Sequence, residues 1–99
     1  MELKGKVIQV MPVQSGMGKS GKAWAKQEFV VDQGGQYPKK VCMSLWGEDK
    51  INNYDLQEGL ELTASIELES RESNGRWYTE VRAWKITWTP EARKWAAKN

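Results

Sequence analysis

The 99-residue chain has no histidine, one cysteine, three prolines and one phenylalanine, and it contains no long uninterrupted apolar run. Each shortage excludes something. Without histidine the chain lacks the commonest general base, the usual partner of a catalytic serine or cysteine, and the commonest transition-metal ligand. No catalytic residue and no metal ligand is therefore assigned, and no cofactor is expected. A lone cysteine cannot close an intramolecular disulfide, and the Val41-Cys42-Met43 setting is that of a strand, which suits a reducing compartment such as the cytoplasm. No charged stretch followed by an apolar one opens the sequence, and no segment approaches the roughly 18 apolar residues of a membrane span. A soluble protein with no membrane partner is expected, and the length suits a single hydrophobic core.

What the chain does have is tryptophan, six residues in all. Each is a large surface that needs burial or a flat partner. Charge is also unevenly placed. Residues 1–47 carry seven Lys/Arg against three Asp/Glu, residues 48–80 three against nine, and residues 81–99 five against one. A fold that joins the basic ends and turns the acidic middle away has a positive face despite a net charge of only +2.

Hydrophobic periodicity predicts five strands and two short helices. Residues 3–10 mix β-formers with lysines around Gly5, a position suited to a bulge or tight bend. Residues 15–22 are glycine-rich and read as a mobile hairpin loop. From residue 23 to 32, Ala25, Gln27, Phe29 and Val31 alternate with Trp24, Lys26, Glu28 and Val30. In the third strand Val41, Met43 and Leu45 alternate with Lys40, Cys42, Ser44 and Trp46. Glu48 and Asp49 open a short helix bearing Ile51 and Tyr54, with Gly59 as its stop. Leu60, Leu62, Ala64, Ile66 and Leu68 then face one way, and Glu61, Glu67 and Glu69 the other, which makes a half-buried strand whose acidic side is expected to turn away from the basic surface. After a loop over residues 70–75, residues 76–86 form an aromatic fifth strand at the end of a long hairpin. Thr89-Pro90-Glu91 is a helix-start signal, so residues 1–88 are assigned to the barrel and 89–99 to a helical extension with Ala92, Trp95 and Ala96 on one face.

Five strands with a helix between the third and fourth is the element order of the all-β OB-fold barrel. Ala23 to Val31, Leu45-Trp46-Gly47, Gly59 and Tyr78-Thr79-Glu80-Val81 together resemble the single-stranded DNA-binding protein (SSB) family, in particular its short, formerly uncharacterised members from bacteria and their phages. The resemblance covers roughly residues 3–88. It implies that the aromatic at Trp46 stacks on bases and that Lys26 and Lys40 face the strand. The family's acidic C-terminal tip is not matched by Trp95-Ala96-Ala97-Lys98-Asn99, so recruitment of repair partners through such a tip is not expected.

Strand parity independently puts Trp24, Lys26, Lys40 and Trp46 on the side opposite the core residues. Aromatics interleaved with lysines suit a single strand, whose bases offer π-faces and whose phosphates need countercharge. The plainer reading is that these rings close the barrel ends or fill a dimer interface. Lys19 and Lys22 in the first loop, and Arg71 and Arg76 flanking the second, fall where OB loops clamp ligand; exposed basic loops are equally ordinary. Tyr78 is a borderline member of the set, and Trp84 is assigned to structure. The run from Gly16 to Ala23 approximates a phosphate-binding loop, but Ala23 stands where Ser or Thr must hold magnesium, and a strand follows in place of a helix. The expected function is sequence-tolerant binding of single-stranded DNA in replication, recombination or repair. An OB module for protein interaction or oligomerisation (dimer or tetramer) is the alternative, with RNA as a further candidate ligand.

Overall fold

The computed structural model describes residues 1–88, so the helix expected from Thr89 lies outside the described residues. The elements run β1 (Glu2–Val10), β2 (Gln14–Met17), β3 (Ala23–Asp32), β4 (Lys40–Trp46), α1 (Glu48–Tyr54), β5 (Glu61–Ser73) and β6 (Arg76–Trp88). They form one sheet in the order β1-β5-β6-β4-β3-β2, and β1 also pairs with β3, so the sheet closes on itself. All pairings are antiparallel except β4 with β6. Closure through one parallel pair, with α1 between β4 and β5, is OB-fold topology.

β1 serves two neighbours in succession. Its first half pairs with β5, from Glu2 opposite Ser65 to Lys6 opposite Glu61. Its second half pairs with β3, with an irregularity between Val7 and Gln9. At the crossover a Cβ on Gly5 would sit 2.5 Å from the Asp32 carbonyl oxygen and 2.5 Å from Val31 Cγ1. Only glycine permits that approach, so Gly5 serves a close crossing of β1 over β3, and the irregularity expected at this position falls between Val7 and Gln9.

Inside the barrel, Val7, Phe29, Val31, Met43, Leu45 and Leu62 are fully buried, joined by Ala64, Ile66, Ala83 and Ile86. Phe29, Val31, Met43, Leu45, Leu62, Ala64 and Ile66 are residues the alternation assigned inward, and the chain's single phenylalanine is among them, whereas Val7, Ala83 and Ile86 are placed there by the closed sheet. Removing such a ring typically costs about 3–5 kcal/mol. Ile51 of α1 and Leu56 just beyond it join the same core.

Three expectations change. Residues 15–17, expected to be loop, belong with Gln14 to a strand, Gln14–Met17, paired with residues 23–26, which leaves only residues 18–22 as the turn. The reason is Gly16, where a Cβ would stand 2.9 Å from the Trp24 ring; the bare backbone lets the indole lie across β2. The helix ends at Tyr54, before the expected stop at Gly59, because Asp55 turns left-handed (φ 46°) and its N–H bonds to the Ile51 carbonyl. Residues 70–73, also expected to be loop, continue β5 with Ser70 opposite Thr79, Arg71 opposite Tyr78 and Ser73 opposite Arg76, leaving Asn74-Gly75 alone as the turn. The long hairpin is therefore an arm extending past the barrel. Leu68, assigned inward by its parity, is exposed because there is no core beneath the arm.

Candidate functional site

Outward-facing residues of β3, β4 and β6 share one surface because the register puts Lys26 opposite Trp46, and Ser44 opposite both Glu28 and Arg82. At its centre the Trp24 and Trp46 rings lie with centroids 6.0 Å apart at an interplanar angle of 48°. Lys26 Nζ stands 5.5 Å from the centroid of the Trp46 ring, and Arg82 Cζ stands 4.9 Å from it. Both are at cation–π distance, so the ring quadrupole holds two positive groups beside it.

Trp46 is also held at its edge. Its Nε1–H donates to Glu80 Oε1 at 2.9 Å and lies 3.1 Å from the Ser44 hydroxyl oxygen. Ser44 in turn donates to Glu80 Oε1 at 3.0 Å, and Arg82 Nε–H reaches the same oxygen at 3.2 Å. Partial burial works to raise the Glu80 carboxyl, but the hydrogen bonds from Trp46, Ser44 and Arg82 outweigh it, and its pKa lies below the usual carboxylate value. Glu80 with Arg82 is the only ion pair among the described residues. Nearby, burial first and then the charge and hydrogen bond of Glu28 raise the Cys42 thiol above its ordinary value, which disfavours the thiolate.

Beside the ring pair is a cleft of about 710 Å³, lined among others by Met17, Trp24, Trp46, Glu48, Ile51 and Asn52. It runs between β2 and the start of α1.

The residues singled out from the sequence are distributed unevenly. Trp24, Lys26 and Trp46 come together as the alternation implied. Tyr78 is 53% exposed and shares the outward parity of Arg82, with Arg71 directly across from it and Arg76 nearer the tip of the arm. Lys19 and Lys22 are exposed in the turn next to the Trp24 end of β3, closed by Gly18 N–H to the Lys22 carbonyl at 2.8 Å. Lys40 stands apart: it is opposite Asp32, at the far end of β4 and about 20 Å along the strand from Trp46. Arg82, Ser44 and Glu80 were not foreseen as a set, because only the parallel pairing of β4 with β6 places them beside Trp46. Trp84, assigned to structure, is the extra residue in the bulge between Ala83 and Lys85 and is 46% exposed. Trp77, which alternation grouped with Val81 and Ala83, is 69% exposed on the opposite face of the arm, across from Glu72 and on the same side as Leu68.

The acidic face of β5 requires a correction. Glu67 lies opposite Arg82 and Glu69 opposite Glu80, so this row borders the aromatic and basic surface and does not turn away from it. Pairing with β6 decides this, since outward parity on β5 and β6 is the same side of one sheet.

Closed strands, the parallel β4–β6 pair and the capping helix define the chain as an OB-fold domain. Comparison with solved structures agrees. The mitochondrial single-stranded DNA binding protein Rim1 from S. cerevisiae matches with a TM-score of 0.67 at 9% identity, covering 89% of this chain and 91% of that one. The second OB-fold domain of replication protein A from Methanococcus maripaludis also scores 0.67, at 13% identity, over 90% of this chain and 82% of that one. The dimeric N-terminal domain of PriB protein from Thermoanaerobacter tencongensis scores 0.58 at 18% identity, over 91% and 94%. No curated protein matches the sequence significantly. Residues 2–87 match the family model described as Domain of unknown function (DUF3127), and the chain belongs to that family.

Proposed function

We propose that this domain binds single-stranded DNA with little sequence preference, through the outward surface of β3, β4 and β6 and along the β5–β6 arm, and catalyses nothing. The observation that carries this reading is the Trp24–Trp46 pair flanked by Lys26 and Arg82. Rings supply stacking that every base accepts, and cations supply phosphate neutralisation. Tyr78, Arg71 and Arg76 extend the track along the arm, while Lys19 and Lys22 guard the Trp24 end. Protection of exposed strands during replication, recombination or repair follows from such binding, and the structural relatives include a single-stranded DNA binding protein and an OB-fold domain of replication protein A.

A second reading has its own observation. Trp77 and Leu68 are exposed on the other side of the arm, where they would suit contact with a second copy. The two readings use opposite faces, so a dimer or tetramer that binds DNA satisfies both.

Titration of intrinsic tryptophan fluorescence with a poly-dT oligonucleotide at low and moderate salt tests the proposal. Quenching is expected, with log K falling by about 0.7 per phosphate neutralised for each unit of log salt. No response at low salt refutes it, and a signal that depends on protein concentration alone moves the rings to an interface. A parallel titration with poly-rU separates DNA from RNA preference.

A further inference from the structure

The geometry points to Glu80 as a built-in competitor for the phosphate backbone: its carboxylate occupies, in the free protein, the donors that the DNA-binding surface would offer to a phosphate. The inference rests on the single-stranded DNA reading above. Three donors converge on one oxygen, Glu80 Oε1: Trp46 Nε1–H at 2.9 Å, the Ser44 hydroxyl at 3.0 Å and Arg82 Nε–H at 3.2 Å. An indole N–H, a hydroxyl and a guanidinium around one anionic oxygen is a donor set that a phosphate oxygen accepts equally well.

Arg82 is engaged twice. Its Nε is bonded to Glu80, and its guanidinium carbon is 4.9 Å from the centroid of the Trp46 ring. For Arg82 to reach a phosphate, and for a base to take its place on Trp46, the same movement is needed, and that movement breaks the Glu80 contact. Glu80 thus opposes opening of the ring and draws Arg82 back when DNA leaves. Ser44, buried beneath, keeps the carboxylate in place by donating to it while its own oxygen lies 3.1 Å from the Trp46 N–H. Glu67, across from Arg82, adds negative charge on the same side, but among the described residues only Glu80 is in ion-pair contact with it.

The function of such a contact is to limit affinity and to make release fast. Glu80 is a positioning residue for Trp46 and Arg82, and it sets how much of the surface's positive charge is available to DNA.

E80Q tests this. A glutamine oxygen still accepts from Trp46 and Ser44, but the charge that holds Arg82 is gone. Poly-dT binding by E80Q is expected to tighten about two- to five-fold at low salt, the range corresponding to loss of one solvent-exposed ion pair. The slope of log K against log salt is expected to steepen by up to about 0.7, one further phosphate. E80D, which keeps the charge, should bind as the wild type does, and in an R82A background E80Q should bring no gain. A purely structural role for Glu80 would loosen Trp46 and weaken binding without steepening the slope, which overturns the inference. Equal binding by wild type and E80Q, or a gain that persists with R82A, also overturns it while leaving the DNA reading intact. Failure of both wild type and E80Q to bind overturns the two together. Circular-dichroism melting of each variant establishes that the compared proteins are folded.

Discussion

Replacing Trp24 with alanine separates stacking from charge at this surface. The ring is 38% exposed, rests on the bare backbone of Gly16 and packs beside Trp46, so most of its open face is available to a base. Stacking on an aromatic side chain is worth about 1–3 kcal/mol per base. At 1.4 kcal/mol per tenfold, one lost base stack lowers affinity for poly-dT by roughly 5- to 150-fold. Trp24 carries no charge, so the number of phosphates neutralised is unchanged, and the slope of log K against log salt should match that of the wild type. The assay is fluorescence anisotropy of a labelled dT oligonucleotide at several salt concentrations, alongside a thermal melt. Affinity within a factor of two of wild type, with the fold intact, refutes the stacking role of this ring. A flattened salt slope would show that the substitution had disturbed Lys26 or the turn bearing Lys19 and Lys22.

Other substitutions probe different parts of the same argument. Lys26→Ala should lower affinity and reduce the salt slope by about 0.7, as expected for one phosphate contact; an unchanged slope means that Lys26 only packs on Trp46. Gly5→Ala forces a Cβ onto the Asp32 carbonyl and Val31 and should destabilise the domain by about 1–3 kcal/mol, read by urea denaturation, and stability equal to wild type contradicts the close approach of β1 to β3. The depressed Glu80 carboxyl contributes stability that is fully present above the ordinary glutamate value and is lost as pH falls through its lower folded value. The melting temperature of wild type should therefore exceed that of E80Q at neutral pH and converge with it as pH falls below about 4, whereas a difference independent of pH refutes the linkage.

The alternation of residues 23–32 and 40–46 was enough to assign Phe29, Val31, Met43 and Leu45 to the interior and Trp24, Lys26 and Trp46 to the outside. A strand has only two faces, and one of these was unmistakably apolar. The element order announced the OB fold, whereas the bulge expected at Gly5 falls between Val7 and Gln9, where the register with β3 shifts. The arm was harder to read, since Ser70, Arg71, Glu72 and Ser73 have little strand propensity of their own. They are held by pairing with an aromatic partner strand and by the tight Asn74-Gly75 turn.

What a strand's sequence determines by itself is which residues share a face, because that follows from backbone geometry within a few residues. Which strands then lie side by side depends on contacts between segments far apart in the chain. Lys40 and Trp46 share a parity but stand at opposite ends of β4, and only the barrel decides which end meets the other basic groups. Likewise Arg82 and Glu80 are separated from Trp46 by more than thirty residues, and the parallel pairing of β4 with β6 alone brings them to its ring. The Glu80 network is therefore a property of the closed sheet, formed when a non-local pairing sets Glu80 and Arg82 within a few ångströms of one indole, while the β5–β6 hairpin adds the acidic border of Glu67 and Glu69.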